Sequence, residues 1–183
     1  FKKEASEFNI LHLASHNVIN DKDPLYSQLF FTEVDDPAED DILHIYELFT
    51  TKLNADLVSL SACNTGTGKL FHGEGIMGLG MGFFYAGVPN VLTSLWEISD
   101  QSASDIMTYF YEELQKGTGY SLALHRAKLR YLDESDNITA DPHYWGGFIF
   151  IGQPVAQTIC EKSKWMIAFV SVLFLAIVFY GIA

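Results

Sequence analysis

Apolar positions along the chain fall into short runs separated by polar, glycine- or proline-containing stretches, and the spacing inside each run predicts its element. "FNILHLAS" at 8–15 is an apolar run that ends at His16, and it reads as a buried strand with "HN" as the turn after it. "LYSQLFFT" at 25–32 is a less regular strand, and the acidic "EVDDPAEDD" at 33–41 is a solvated loop. Ile42, Ile45, Leu48, Phe49 and Leu53 repeat at the spacing of one helix face, which predicts a helix over 41–53. "ADLVSLSAC" at 55–63 is apolar on both faces and so belongs in the middle of a parallel sheet. "GEGIMGLGMGFFYAG" at 73–87 places Gly75, Gly78 and Gly82 on one side of a helix, which lets that side approach a sheet closely. A strand over 88–96, helices over 99–117 and 120–134, and a last strand over 143–152 complete the series. Strands alternating with helices over about 150 residues define an α/β domain with a mostly parallel central sheet.

The last run has a different character. "WMIAFVSVLFLAIVFYGIA" at 165–183 carries no charge, and as a helix it spans about 28 Å, matching a bilayer's hydrocarbon core. It is expected to be a single transmembrane helix, joined by a linker over 156–164 to one domain over 1–155. Lys162 and Lys164 precede it and slightly favour a cytoplasmic domain, while the other flank leaves the topology open. The chain opens at Phe1 and runs at once toward a strand, so the domain is expected to be truncated at its N-terminus, with further domains upstream.

Composition removes some function classes. The 183 residues are 49% hydrophobic, enough for one globular core. With 23 acidic against 11 basic residues the net charge is −12, the wrong sign for a partner made of phosphates, and nucleic acid is excluded as the main ligand. The only cysteines, Cys63 and Cys160, are too few for a disulfide framework or a CxxC zinc site, so Cys63 is expected to be a free thiol. No metal and no cofactor are expected.

The chemistry centres on "LSACNTGTG" at 60–68, where a buried strand ends in Cys63 and a glycine-rich turn. A cysteine nucleophile needs a base to lower its pKa from about 8.5, and His16 ends one strand as Cys63 ends another. If the two strands are parallel neighbours, both side chains reach the carboxyl edge of the sheet, where α/β folds build their sites. The backbone N–H groups of Asn17 and Cys63 would then form an oxyanion hole. A small buried core cysteine is the other reading of Cys63, and both stand at this point. His12 is read as a core or sheet-face residue, His44, His125 and His143 as structural, and His72 as a residue of the glycine-rich loop, with an approach to the site as its minority reading. "GEGIMG" at 73–78 matches GxGxxG, with Glu97 beyond it in the place of a ribose-binding acid. Its first glycine lies ten residues past the strand instead of in the strand-to-helix turn, so nucleotide binding is set aside. The acidic loop lacks the ligand spacing of an EF-hand.

Taken in order, "LHLASHN", "LVSLSACNTGTG", "GEGIMGLGMGFFYAGVPNVLTSLWEISD", "FYEEL" and "HYWGGFIFIG" resemble the CHAT domain, a caspase-like family related to separase and often found after tetratricopeptide repeats. The resemblance covers residues 9–153 and implies a caspase-like three-layer sandwich and cysteine endopeptidase activity through a His–Cys dyad. His16 and Cys63 take the dyad positions, 47 residues apart, close to the separation of about 50 in caspases. Asn17 stands where relatives usually have an oxyanion-hole glycine, and asparagine tolerates left-handed geometry better than most residues. Asp100 in "LWEISD" matches the acid that receives a basic side chain in separase; a helix N-cap is the alternative role for it. The expected protein is therefore a membrane-anchored cysteine endopeptidase acting on a protein or peptide substrate under an upstream repeat or sensor domain. A catalytically silent scaffold with the same fold is the alternative.

Overall fold

A computed structural model of the chain describes residues 1, 4–20, 22–31, 41–61 and 75–153. Its central sheet has four strands, β1 (Ile10–Leu13), β5 (Leu57–Leu60), β6 (Asn90–Ser94) and β7 (Phe148–Gly152), in that spatial order. β1, β5 and β6 run parallel, and β7 closes the far edge antiparallel to β6. A smaller antiparallel sheet, in the order β2 (Asn17–Val18), β3 (Gln28–Phe30), β4 (Ile42–His44), lies between β1 and β5 in sequence. The helices are α1 (Ile45–Leu48), α2 (Gly75–Tyr85), α3 (Asp100–Gln115), α4 (Tyr120–Glu134) and α5 (Pro142–Trp145).

Every residue of β5 and β6 is buried, including the polar Ser59, Asn90, Thr93 and Ser94, which fits their central places with both faces covered. Side chains alternate across the sheet, and the two faces feed two cores. Leu11, Leu13, Val58, Leu60 and Val91 pack with Leu79 and Phe83 of α2 and with Leu29 and Leu43 of the small sheet. Leu57, Leu92 and Phe148 pack with Ile106 and Phe110 of α3 and with Ala123, Leu124 and Ala127 of α4. Helices therefore cover both faces of a mixed, mostly parallel sheet.

The structure departs from the sequence reading in five places. The predicted helix over 41–53 is a strand followed by one helical turn: Ile42–His44 pairs with β3, and only Ile45–Leu48 is helical. Glu47 marks that switch, because its carboxylate accepts the His44 backbone N–H at 2.8 Å, the side-chain half of an N-terminal cap. His44 consequently ends a strand and does not sit inside a helix. Asn17 is a strand residue and not a turn residue, and no non-glycine residue among those described has a positive φ. Gly82 faces α1 rather than the sheet: a methyl group there would meet Leu48 Cδ1 at 2.9 Å and Ile45 Cγ2 at 3.0 Å, while Gly80 is the glycine turned toward Val91 of β6. The last strand begins at Phe148, and the helical turn α5 precedes it.

The acidic loop 33–40, Cys63, His72, the linker 156–164 and the apolar run 165–183 lie outside the described residues. Among the described residues no helix is long and apolar enough to cross a membrane.

Candidate functional site

The site is built by strand register. β1 and β5 pair Leu13 with Leu60, and β5 and β6 pair Leu60 with Thr93. His16, Cys63 and Trp96 each follow those paired residues by three positions, so three neighbouring strands leave the sheet at one carboxyl edge in the same step. The parallel neighbourhood of β1 and β5 on which the His16–Cys63 pairing depends is thus present, although Cys63 lies outside the described residues. Beyond the paired residues, the Ser61 N–H donates to the Leu13 carbonyl at 3.2 Å, the last β1–β5 bond among the described residues.

His16 has an exposed side chain and is held by its backbone, whose carbonyl accepts the Phe30 N–H at 2.9 Å. That bond makes His16 and Phe30 a hydrogen-bonded pair of the β2–β3 ladder, so Asn17, opposite Leu29, falls in the next, non-hydrogen-bonded pair. The Asn17 N–H is therefore turned away from β3 while the residue itself is buried. Its extended backbone corrects the expectation that a left-handed conformation matters here; any residue adopts this geometry.

Asp100 is exposed and opens α3. It is not the N-cap. Ser99 fills that role, its hydroxyl accepting the Ser102 N–H at 3.3 Å and bonding the Ser102 hydroxyl at 2.8 Å. With the cap supplied by Ser99, the Asp100 carboxylate remains at the positive end of the helix, on the connection that leaves β6. Trp96, on the same connection, was not singled out from the sequence. Its indole N–H donates to the His143 carbonyl at 2.8 Å, its ring stacks with His143, and Gly147 lies so close that a methyl group there would meet Trp96 Cε2 at 2.9 Å. The glycine pair Gly146–Gly147 signals that something approaches the backbone closely, but nothing local to it names Trp96.

The sequence reading made His12 a core or sheet-face residue, and the structure gives its ring two partners. Its Nε2 lies 2.6 Å from Ser61 Oγ and its Nδ1 lies 2.7 Å from the Tyr111 hydroxyl of α3. Although the residue as a whole is exposed on the edge strand, its ring packs against Tyr111, and that burial lowers the imidazole pKa below its ordinary 6.5. Burial likewise raises the Tyr111 phenol above its ordinary value, a shift opposed by a hydrogen bond from Ser59. Because the folded chain holds the His12 proton more weakly than the unfolded chain does, the unfolded state takes up protons first as pH falls. Stability from this group is complete above about pH 6.5 and is lost as pH falls through the lowered folded value. Thermal melts between pH 7.5 and 5 are expected to show wild type losing more than His12→Asn; equal slopes would contradict the burial effect.

Among the described residues no three His, Cys, Asp or Glu side chains lie together as a metal site.

Against known proteins, the family model described as "CHAT domain" matches residues 1–153. The chain is 28% identical over 119 residues to "Tetratricopeptide repeat protein 28" of Mus musculus and equally to the protein of that name from Homo sapiens. Each match covers 65% of this chain and 5% of the relative, so the chain spans only a small part of the curated relatives' length.

Proposed function

Since the chain belongs to the CHAT domain family across residues 1–153, we propose that it is a cysteine endopeptidase in which His16 and Cys63 form the catalytic dyad. The observation that carries this reading is the parallel β1–β5 register, in which Leu13 faces Leu60 and both functional residues follow at the same offset. A caspase-like three-layer arrangement accords with helices on both faces of the sheet.

In the proposed reaction His16 takes the thiol proton of Cys63, and the thiolate attacks the scissile peptide carbonyl. The tetrahedral oxyanion is met by the Asn17 N–H, which the β2–β3 register turns away from β3, together with the Cys63 N–H. His16 then protonates the leaving amine, and water activated by the same imidazole hydrolyses the thioester. Asp100 attracts a lysine or arginine side chain before the cleaved bond: it is exposed, at the carboxyl edge, and relieved of capping by Ser99. The relatives' repeat-bearing names support an upstream repeat region in the full-length protein. A membrane tether rests on the uncharged sequence 165–183 alone, with a cytoplasmic domain slightly favoured by Lys162 and Lys164.

Mass spectrometry of the full-length protein after exposure to a peptide acyloxymethyl ketone ending in arginine tests this reading. The expected result is modification of Cys63 many times faster than of Cys160, and faster than with the same probe ending in leucine. A Cys63 that reacts no faster than an ordinary thiol would move the protein to the catalytically silent scaffold class.

A further inference from the structure

His12 bridges three elements. It sits on β1 opposite Ser59 of β5, four positions before His16 on the same run of chain. One ring nitrogen reaches Ser61 Oγ at 2.6 Å, and the other reaches the Tyr111 hydroxyl of α3 at 2.7 Å. Both partners are hydroxyls, which donate or accept as needed, so a neutral imidazole satisfies both bonds in either tautomer. With both nitrogens engaged and the ring packed 5.5 Å from that of Tyr111, centroid to centroid, the imidazole is fixed in orientation. Ser61 is gripped twice as a result, by its N–H on the Leu13 carbonyl and by its hydroxyl on His12. Cys63 stands two positions after it in the sequence.

We propose that His12 is a positioning residue: by holding Ser61 it fixes the point where β5 leaves the sheet relative to the point where β1 does, and so sets the separation between Cys63 and His16. The inference rests on the dyad reading. The physical need for such a clamp follows from topology. The dyad partners come from different strands, so their spacing depends on two independent chain exits, and a displacement of about 1 Å between reacting groups costs roughly a hundredfold in rate. Among the described residues β1 has one sheet neighbour, β5, so its ladder restrains it from one side. A side-chain bond across β1 and β5 at their carboxyl ends adds to that restraint, and Tyr111 backs it from the helical layer.

The test uses the full-length protein and the saturable labelling of Cys63 by the arginine-ended acyloxymethyl ketone. Ser61→Ala and His12→Ala are each expected to lower the maximal labelling rate about tenfold or more while leaving the half-saturating probe concentration near that of wild type. The double variant should be no slower than the slower single one, because both changes remove the same bond. Ser61→Thr, which keeps the hydroxyl, should restore most of the rate lost in Ser61→Ala. Wild-type rates in both alanine variants, or two losses that simply multiply, would overturn the proposal while leaving the dyad reading intact. If wild-type Cys63 reacts no faster than an ordinary thiol, the dyad reading falls, and amide hydrogen exchange at Ser59–Ser61 decides the clamp by itself. Faster exchange in Ser61→Ala upholds the anchoring, and unchanged exchange removes it. Should His12→Ala fail to fold, the Ser61→Ala and Ser61→Thr pair carries the same decision.

Discussion

Replacing His16 by alanine is expected to slow the acylation of Cys63 by about a thousandfold in the full-length protein while leaving its thermal midpoint within a degree or two of wild type. The rate falls because an unassisted thiol with a pKa of about 8.5 is only a few per cent thiolate at pH 7, and because no group remains to protonate the leaving amine; general acid–base assistance of this kind is worth about a hundred- to ten-thousandfold. The stability forecast follows from how His16 is held. Its side chain is exposed, and the bond that fixes its place is the backbone one from the Phe30 N–H to its carbonyl, which alanine keeps. A rate loss without a stability loss therefore separates a catalytic role from a structural one. Single-turnover cleavage of a peptide amide with arginine before the scissile bond, across pH 5.5–9, provides the check. The variant's rate should rise with pH as an ordinary thiol ionises, whereas wild type should already be near its maximum at neutral pH. A His16→Ala rate within threefold of wild type at pH 7 would remove His16 from the chemistry.

How much of this arrangement was legible in the sequence depends on which force shaped each element. The strands at 10–13, 57–60 and 90–94 and the helices at 100–115 and 120–134 were readable because burial shapes them: strands in the middle of a sheet are rich in apolar residues on both faces, and a helix on one face of a sheet is striped. Of the three-stranded sheet only the middle strand was readable, Gln28–Phe30 falling inside the run at 25–32. Ile42, Leu43 and His44 fit a helical period as well as an extended one, and pairing with Gln28–Phe30 across a long intervening segment decided for the strand. Local pattern carries no information about such a partner. The same limit applied to Asp100, where the cap preference of aspartate suggested a role that the neighbouring Ser99 performs. At the candidate site the sequence supplied the residue types and their order, and the register supplied the parallel neighbourhood of β1 and β5 from which the proposed dyad is argued. What the sequence could not supply was the His12–Ser61–Tyr111 bridge, because its members lie 49 and 99 positions apart and none of them belongs to a motif that predicts the others.

The largest effect on stability is expected at Phe110, on the helix that also presents Tyr111 to His12. Phe110 is fully buried in the core between the sheet and α3–α4, and its ring meets that of Tyr111 edge-on at 5.3 Å. Truncation to alanine removes a large apolar surface and leaves a hole that a sheet with helices on both faces cannot easily close, so a loss of about 3–5 kcal/mol is expected. For a domain of this size that corresponds to a fall of about 6–20 °C in the thermal midpoint. By contrast, Arg130→Ala on the exposed side of α4 removes ion pairs with Glu112 and Glu134 that are open to water, and its midpoint should stay close to that of wild type. Calorimetry of the three proteins under one condition checks both statements. The functional consequence follows from adjacency: with Phe110 gone, Tyr111 loses its edge-on support, and the clamp on Ser61 loosens before the domain unfolds. Labelling of Cys63 in Phe110→Ala should accordingly weaken at temperatures well below its own midpoint. A variant that keeps full labelling up to the onset of unfolding would show that the helical layer and the candidate site are mechanically independent.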